Sequence, residues 1–257
     1  MEVHQHSHTS DPDSHRGRKK WTHYFWEFLM LFLAVTLGFF VENQREHYIE
    51  NQRAKQYASF LHSDLIKDTS SLSQRIAYMN TGISEIDTLI LILKSPNPEI
   101  FIEKIYALST YIYSNPLFTA TSSTIEQLKN SGSLRYFKSK ALIRNFSDFD
   151  NEVQNMKTID ERNLYIVEDT RKFLTQFLDL KGVPIPRILA SDSSIQQQSA
   201  IPSILRLYKK DPAQFQEYAN LSTLKQLDWR NRVRLMSRTL NSARNLILSL
   251  KEEYHLE

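Results

Sequence analysis

The chain has 257 residues, of which 41% are hydrophobic and 24% charged, with a formal net charge of +3 and no cysteine. A net charge this small does not indicate binding to a polyanion such as nucleic acid. The lack of cysteine excludes disulfides, thiolate metal sites and cysteine nucleophiles. A mean hydropathy of −0.44, with only five glycines and eight prolines, indicates a largely helical, water-soluble body.

The predicted architecture depends on an apolar run at residues 24–41. The run reads YFWEFLMLFLAVTLGFFV, and its only ionisable residue is Glu27. As a helix rising about 1.5 Å per residue, it extends about 27 Å, close to the thickness of a hydrocarbon core. Trp21, Tyr24 and Trp26 cluster at its start, where aromatic rings suit the headgroup level. We therefore predict a transmembrane anchor at residues 21–42.

Basic residues on the two sides of the anchor predict its orientation. The residues before it are Arg16, Arg18, Lys19 and Lys20, and those after it are Arg45, Arg53 and Lys55, which are interleaved with acids. Positive charge close to a span is retained in the cytoplasm, so the N-terminus is predicted to be cytoplasmic. The run is too long for a signal peptide and ends without a small-x-small cleavage site. We expect an uncleaved, single-pass anchor.

Residues 1–20 have too few apolar side chains to form a core and are predicted to be a disordered, His-rich cytoplasmic tail. His4, His6 and His8 alternate, so in an extended chain they project to one side, as metal-binding imidazoles can. No neighbouring residues supply the second shell of a tuned metal site, so a solvated tail is the favoured interpretation and no cofactor is expected.

Glu27 lies one turn inside the apolar run. Near the interface a carboxylate can reach the headgroups or nearby lysines, which accounts for its presence there. The functional alternative is a pairing with a basic residue in the transmembrane helix of a partner. Both interpretations remain open at this stage.

Residues 43–257 are predicted to form an antiparallel bundle with three long helices, so the fold class is all-α. The first helix continues from the anchor to about residue 94, with a heptad seam typical of coiled coils and a possible bend at Gly82. The seam comprises Leu61, Leu65, Leu72, Ile76, Met79, Ile83, Ile86, Ile90 and Leu93. The second long helix spans about 139–181, and the third begins at Ser222 or Thr223.

Shorter helices are expected between the long ones. Asn97 and Pro98 suit the start of a helix over 98–113, and Asp211 and Pro212 the start of another over 212–220. Residues 123–126 have the spacing of a capping box, and their helix is expected to end at a left-handed Gly132.

The second long helix has three polar residues in its predicted seam, Asp160, Asn163 and Thr170. They would line a small polar cavity between helices, the nearest feature in this sequence to a ligand site. The alternative is that the stripe drifts, because 3.6 residues per turn slides about 20° per heptad. The polar groups would then face water, which is the favoured interpretation.

Two further segments suggest partners. Residues 183–203 form the longest irregular connection, with three prolines, and are the first candidate for a partner-binding surface. The last helix contains five arginines, at Arg230, Arg232, Arg234, Arg238 and Arg244. They form no single stripe around the predicted seam at Trp229, Val233 and Met236, so a solvated, salt-bridged face is favoured over nucleic-acid binding.

Motifs of known chemistry are missing from the sequence. It has no glycine-rich phosphate loop, no His-Glu-x-x-His and no Gly-x-Ser-x-Gly. No catalytic residue is predicted, and the chain is not expected to be an enzyme.

Two stretches resemble a known family. They are WTHYFWEFLMLFLAVTLGFFVENQREHYIENQRAKQYASFLHSDLIKDT at 21–69 and TSSTIEQLKNSGSLRYF at 121–137. They look like the uncharacterised single-pass membrane proteins common in Bacteroidota, a family of unknown function. The resemblance implies a Gram-negative inner membrane with a periplasmic body, and it supplies no catalytic residues to transfer.

Two functional hypotheses follow. The first is a non-enzymatic, membrane-anchored interaction or scaffold protein that binds another envelope protein or itself. The alternative is a periplasmic helical sensory module that resembles the four-helix domains of chemoreceptors, binds a small ligand near Asp160 and Asn163, and signals through a partner.

Overall fold

The computed structural model describes residues 16–184 and 205–256, with side chains from residue 21 onward. The chain divides into two compact units, Met1–Arg53 and Ala54–Glu257. Six α-helices occur in the described ranges: α1 (Arg16–Leu93), α2 (Ile102–Tyr113), α3 (Ser123–Asn130), α4 (Lys140–Arg162), α5 (Leu164–Phe177) and α6 (Pro212–Tyr254). Apart from short 3-10 turns, the only extended pairing in these ranges is an isolated bridge between Leu178 and Leu207. The all-α prediction is confirmed.

The first unit contains the apolar part of α1. An 18-residue window within it has a mean hydropathy of 1.9, and none of its residues is buried in the protein. By length and composition this helix is able to cross a membrane. Glu27 lies on it with an exposed side chain.

The second unit is an antiparallel bundle. Helix α6 runs opposite to α1, because later residues of α6 lie beside earlier residues of α1. Phe215 lines a cavity with Leu93, and Trp229 contacts the position of Gly82. Helix α4 also runs opposite to α6, since Asn145 contacts Ser249 and Asp160 contacts Arg232. Helices α2 and α3 together form the returning column between α1 and α4. The columns therefore alternate up and down.

The predicted seam of α1 faces the interior of the bundle. Leu61, Leu65, Leu72, Met79 and Ile86 are all fully buried. The first α1 residue buried in the bundle is Ala54, which is 2% exposed.

Gly82 belongs to the same stripe and lies inside a continuous helix. A Cβ atom there would lie 2.2 Å from Cζ3 of Trp229 and 2.8 Å from Cδ1 of Tyr111. The glycine thus allows the indole to pack against the α1 backbone, which is a packing role rather than a turn.

The structure corrects the predicted second long helix. It breaks at Asn163, whose φ of −94° and ψ of 7° are not helical, so α4 ends at Arg162 and α5 begins at Leu164. Helix α5 ends at Phe177, and a 3-10 turn at Leu180–Gly182 follows it.

The predicted boundary near residue 220 is also wrong, since α6 is continuous from Pro212 to Tyr254. The hydroxyl of Thr223, taken as a start signal, donates instead to the carbonyl of Ala219 within the helix. Tyr218, Ala219 and Ser222 are buried there, so packing supports the helix through this point.

The predicted helix starts and stops have mixed outcomes. Asp211 accepts a hydrogen bond from the Gln214 amide at the start of α6, as expected. Gly132 has the left-handed conformation, with φ +66°.

The capping box does not form, because α3 has no side-chain cap and the Thr124 hydroxyl donates to Asp64 on α1. Asn97 also makes no side-chain cap, although Pro98 begins a 3-10 turn that leads into α2.

Two apolar cores lie along the bundle. The first core joins α1 residues 54–65 to α3, the start of α4 and the end of α6. The second core joins α1 residues 72–93 to α2, α5 and the first half of α6. The second core contains most of the large buried aromatic side chains, among them Tyr106, Phe173, Phe177, Tyr218 and Trp229.

Candidate functional site: a polar cluster in the second core

The polar seam residues predicted from the sequence lie between helices. Asp160 and Asn163 are half-buried and bonded to side chains of α6. Thr170 is fully buried, and its hydroxyl donates to the carbonyl of Ile166. The favoured expectation that these groups face water is therefore wrong. Asp160 and Asn163 belong to a network with α6, which we call the polar cluster: Asp160, Asn163, Lys225, Asp228, Trp229 and Arg232.

Asn163 joins the α4–α5 break to α6. Its amide nitrogen Nδ2 donates to Oδ1 of Asp228 over 2.8 Å. The residue sits in the bridge region of backbone conformation, which interrupts the helix and lets the short amide side chain reach α6. The break is thus fixed by a specific side-chain contact.

Arg232 is the centre of the ion network. Its Nε donates to Oδ2 of Asp228 over 2.8 Å, and its Nη1 donates to Oδ1 of Asp160. Arg232 is 2% exposed and Asp228 3%. The expectation that this arginine belongs to a solvated helix face is wrong, because the two carboxylates compensate its charge inside the bundle.

Four donor side chains occupy one stripe of α6. Ser222, Lys225, Trp229 and Arg232 follow each other at steps of three and four residues, which places them on one helix face. Within the described residues, each has a buried polar atom without a hydrogen-bond partner: Ser222 Oγ, Lys225 Nζ, Trp229 Nε1 and Arg232 Nη2. Buried polar groups are normally paired, so such a row is unusual.

Burial changes the proton affinity of this cluster. It lowers the pKa of Lys225 to about 7, with the Asp228 carboxylate opposing the shift and the cations Arg232 and Arg171 adding to it. Burial also raises the pKa of Asp160, and Arg232 opposes that shift. Perturbed groups of this kind concentrate at functional sites, although structural ion networks also produce them.

Aromatic rings enclose the cluster. The ring centroid of Trp229 lies 5.8 Å from that of Tyr78 and 6.4 Å from that of Tyr111. Lys225 Nζ is 5.9 Å from the Trp229 ring centroid, and the Arg171 guanidinium is 5.1 Å from that of Tyr113. The cluster therefore combines donors and cations with aromatic neighbours.

A second candidate is a surface cavity of about 540 Å³. It lies where α1 ends and α6 begins, and its floor includes Leu93 and Phe215. Of its three charged lining residues, Lys94, Glu99 and Lys210, the last two form an exposed ion pair at 3.2 Å. Because exposed pairs are weak and solvated, the polar cluster is the stronger candidate.

The other predicted sites have these positions. His4, His6 and His8 lie outside the described residues, as does nearly all of the 183–203 connection. Glu27 lies in the first unit, so its pairing with a partner helix stays a prediction. Among the described residues, no group of three or more His, Asp or Glu side chains is arranged to hold a metal ion.

Sequence reasoning found one side of the polar cluster and missed the other. The predicted seam of α6 includes apolar Val233, one position from Arg232, so Lys225 and Asp228 are not identified and Arg232 is expected on a solvated face. The 3-4 spacing that continues from Tyr218 through Arg232 to Met236 was the available signal.

Comparison with protein-family models, with curated proteins and with solved structures finds no match to this chain.

Proposed function

We propose that this protein is a non-enzymatic, membrane-anchored interaction module of the bacterial envelope. In this proposal the N-terminal tail is cytoplasmic, residues 21–42 cross the inner membrane, and the bundle lies in the periplasm. The orientation is supported by the four basic residues before the apolar run. The periplasmic placement is supported by the family resemblance of residues 21–69.

The observation that carries the proposal is a leucine surface on the bundle. Leu164 is 47% exposed, Leu224 49% and Leu227 52%. Leu224 and Leu227 lie one turn apart on α6, and the hydrogen bond from Asn163 to Asp228 joins the start of α5, where Leu164 lies, to this part of α6. Grouped exposed apolar side chains are typical of protein contact sites.

A matched pair of α6 variants tests the leucine surface. We expect Leu227→Gln to abolish self-association or specific retention of an envelope protein by the full-length chain in nanodiscs. Leu248→Gln is the control, because Leu248 is 57% exposed on the same helix but far from residues 224–228. Cross-linking and sedimentation are the measurements. Equal behaviour of the two variants would contradict the proposal.

The topology is tested separately. Alkaline phosphatase fused after residue 257 is expected to be active, because the enzyme folds in the oxidising periplasm. A well-expressed but inactive fusion would place the bundle in the cytoplasm.

A second candidate function is a sensory module, which the polar cluster favours. The cluster joins α6 to the break between α4 and α5, so a bound ligand would bias the geometry of two columns. A signal would then pass through a partner protein, since a ligand shifts only those states that it binds differently. A ligand-dependent change in partner retention by the full-length chain is the test.

A further inference from the structure

Lys225 is a buried cation whose neighbours leave its ammonium without an acceptor. Its side chain is fully buried, and Nζ has no hydrogen-bond partner among the described residues. The carboxylate that acts on it electrostatically is Asp228, whose two oxygens accept from Asn163 and Arg232 instead. A buried ammonium without an acceptor is costly, so the site favours any molecule that supplies one.

The charges around Lys225 are unequal. Arg232 faces it from α6 and Arg171 from α5, and both act electrostatically on Lys225. The carboxylates of the cluster are Asp228 on α6 and Asp160 on α4. With Lys225 protonated, Lys225 and Arg232 offset the two carboxylates, and the exposed Arg171 adds a positive potential that favours an entering anion.

Two more free donors accompany Lys225. The indole edge with Cε3 and Cζ3 packs against the position of Gly82, so Trp229 Nε1 lies on the opposite edge of the ring. Arg232 Nη2 remains free after its other nitrogens have bonded the carboxylates. Three donors on consecutive turns of one helix therefore point into the bundle interior.

We propose that the polar cluster binds a small monocarboxylate, whose two oxygens accept hydrogen bonds from Lys225 Nζ, Trp229 Nε1 and Arg232 Nη2. A carboxylate offers about four lone-pair directions on two oxygens, which suits three donors. Two of these donors, Lys225 and Arg232, are cationic, and charge-assisted hydrogen bonds are the strong ones.

Arg171 marks the outer edge of the site. It is exposed on α5, next to Tyr113 on α2, and it acts on Lys225 in the interior. A carboxylate approaching from solvent meets this guanidinium first, and the field of Arg171 then favours its entry.

Binding is expected to be linked to proton uptake. Burial lowers the pKa of Lys225 to about 7, and a bound carboxylate stabilises the charged ammonium and raises that pKa again. Above neutral pH the free site must therefore take up a proton when the acid binds. The affinity falls as pH rises, by up to about tenfold per pH unit.

The test is calorimetric titration of the full-length protein in nanodiscs with sodium acetate, against sodium chloride at equal ionic strength. We expect acetate to bind about fivefold more weakly at about pH 8 than at about pH 7, because the protonated fraction of Lys225 falls by that factor when its pKa is about 7. Chloride is a single atom and cannot present two separate oxygen acceptors to the three donors, so it is expected to bind much more weakly than acetate. Equal binding of the two anions, or no binding of acetate, would overturn the proposal.

Two cluster variants and one control make the result specific to this site. Lys225→Met is expected to abolish acetate binding, and Trp229→Phe, which removes only the Nε1 donor and some ring area, to weaken it several-fold. Lys172→Met, on the exposed face of α5, should bind as the wild type does. If both cluster variants have normal helical content by circular dichroism and still bind acetate as the wild type does, the polar cluster is not the carboxylate site.

The carboxylate site does not depend on the sensory candidate function, but a signalling role for that site does. If acetate binds and partner retention does not change, the sensory candidate fails while the site stands. If acetate does not bind, the carboxylate site fails, and the leucine-surface experiment still decides the interaction proposal.

Discussion

The first and second cores are filled by the same helix in two different ways. Along its buried stripe in the first core, α6 places Ala243, Leu246, Ile247 and Leu250. In the second core the same stripe places Ser222, Lys225 and Arg232 among the aromatic rings. The steps of three and four residues are the same in both, so helix geometry chooses the buried positions whatever the side chain.

The column formed by α4 and α5, which faces α6, also differs between the two cores. In the first core α4 is unbroken and contributes Leu142, Phe146 and Phe149. Beside the polar cluster it ends at Arg162, and Asn163 bonds to α6. Polar residues on one helix are therefore matched by polar residues and a helix break on the other. We expect the second core to be more sensitive to charge and pH than the first.

The largest effect is expected from removing the central cation. Arg232→Met leaves the buried carboxylates Asp160 and Asp228 without a counter-charge, so the free energy of unfolding should fall by about 4 kcal/mol. The exposed Arg238 on the same helix provides the control, because Arg238→Met should change stability by no more than about 0.5 kcal/mol. Denaturant unfolding followed by circular dichroism measures both. Equal losses would mean that the network contributes nothing.

A smaller loss is expected at the closest helix contact of the second core. In Gly82→Ala, alanine favours the helix by about 1 kcal/mol. The added Cβ would lie 2.2 Å from Trp229, and overpacking should produce a net loss of about 2 kcal/mol. Gly38→Ala is the control, because no atom lies within 4 Å of its Cβ. If both variants keep wild-type stability by denaturation, the contact with Trp229 is not tight.

Stability should depend on pH through Lys225. The unfolded lysine binds a proton near its ordinary pKa of 10.5, and the folded one only near about 7. As the pH falls from 10.5 to about 7, Lys225 becomes protonated in the unfolded chain before it does in the folded protein, which favours unfolding. The wild type should lose stability relative to Lys225→Met, on the order of 1 kcal/mol per pH unit, and the difference should level off below about pH 7.

Unfolding curves of the wild type and Lys225→Met from neutral to alkaline pH measure this difference. The exposed Lys172→Met is the control and should follow the wild type. Parallel curves for wild type and Lys225→Met would show that the ammonium is solvated in the folded protein.

The smallest expected effect has the opposite sign. Ser222 Oγ is buried without a partner, so Ser222→Ala removes an unsatisfied hydroxyl and should stabilise the protein by about 1 kcal/mol. Ser109→Ala is the matched control, because the Ser109 hydroxyl donates to Ile105 and pairs with Tyr218. That variant should lose about 1 kcal/mol. Thermal unfolding of both distinguishes unpaired from paired hydroxyls, and a loss in Ser222→Ala would reverse the interpretation.

Regular patterns made much of the fold predictable. The seam of α1 from Leu61 to Leu93, the Asp211 cap and the left-handed Gly132 each depend on a few neighbouring residues. The break at Asn163 and the continuity of α6 through Ser222 depend on partners distant in sequence. Local start and stop signals therefore misplaced both boundaries.

The candidate site was half predicted for the same reason. Asp160 and Asn163 stood out as polar interruptions of an apolar seam. Lys225 and Arg232 did not, because a nearby apolar seam offered an alternative and charged residues are seldom fully buried. Only their partners across the bundle explain their burial.

The sequence by itself determined that this protein is helical, that one segment is apolar enough to cross a membrane, and which face of α1 is buried. These properties follow from residue periodicity and composition within single segments. The tertiary structure alone decided that Arg232 bonds both Asp160 and Asp228, and that Lys225 is fully buried beside the Trp229 ring. The free energy of a buried charge depends on side chains that are distant in the chain and adjacent only after folding.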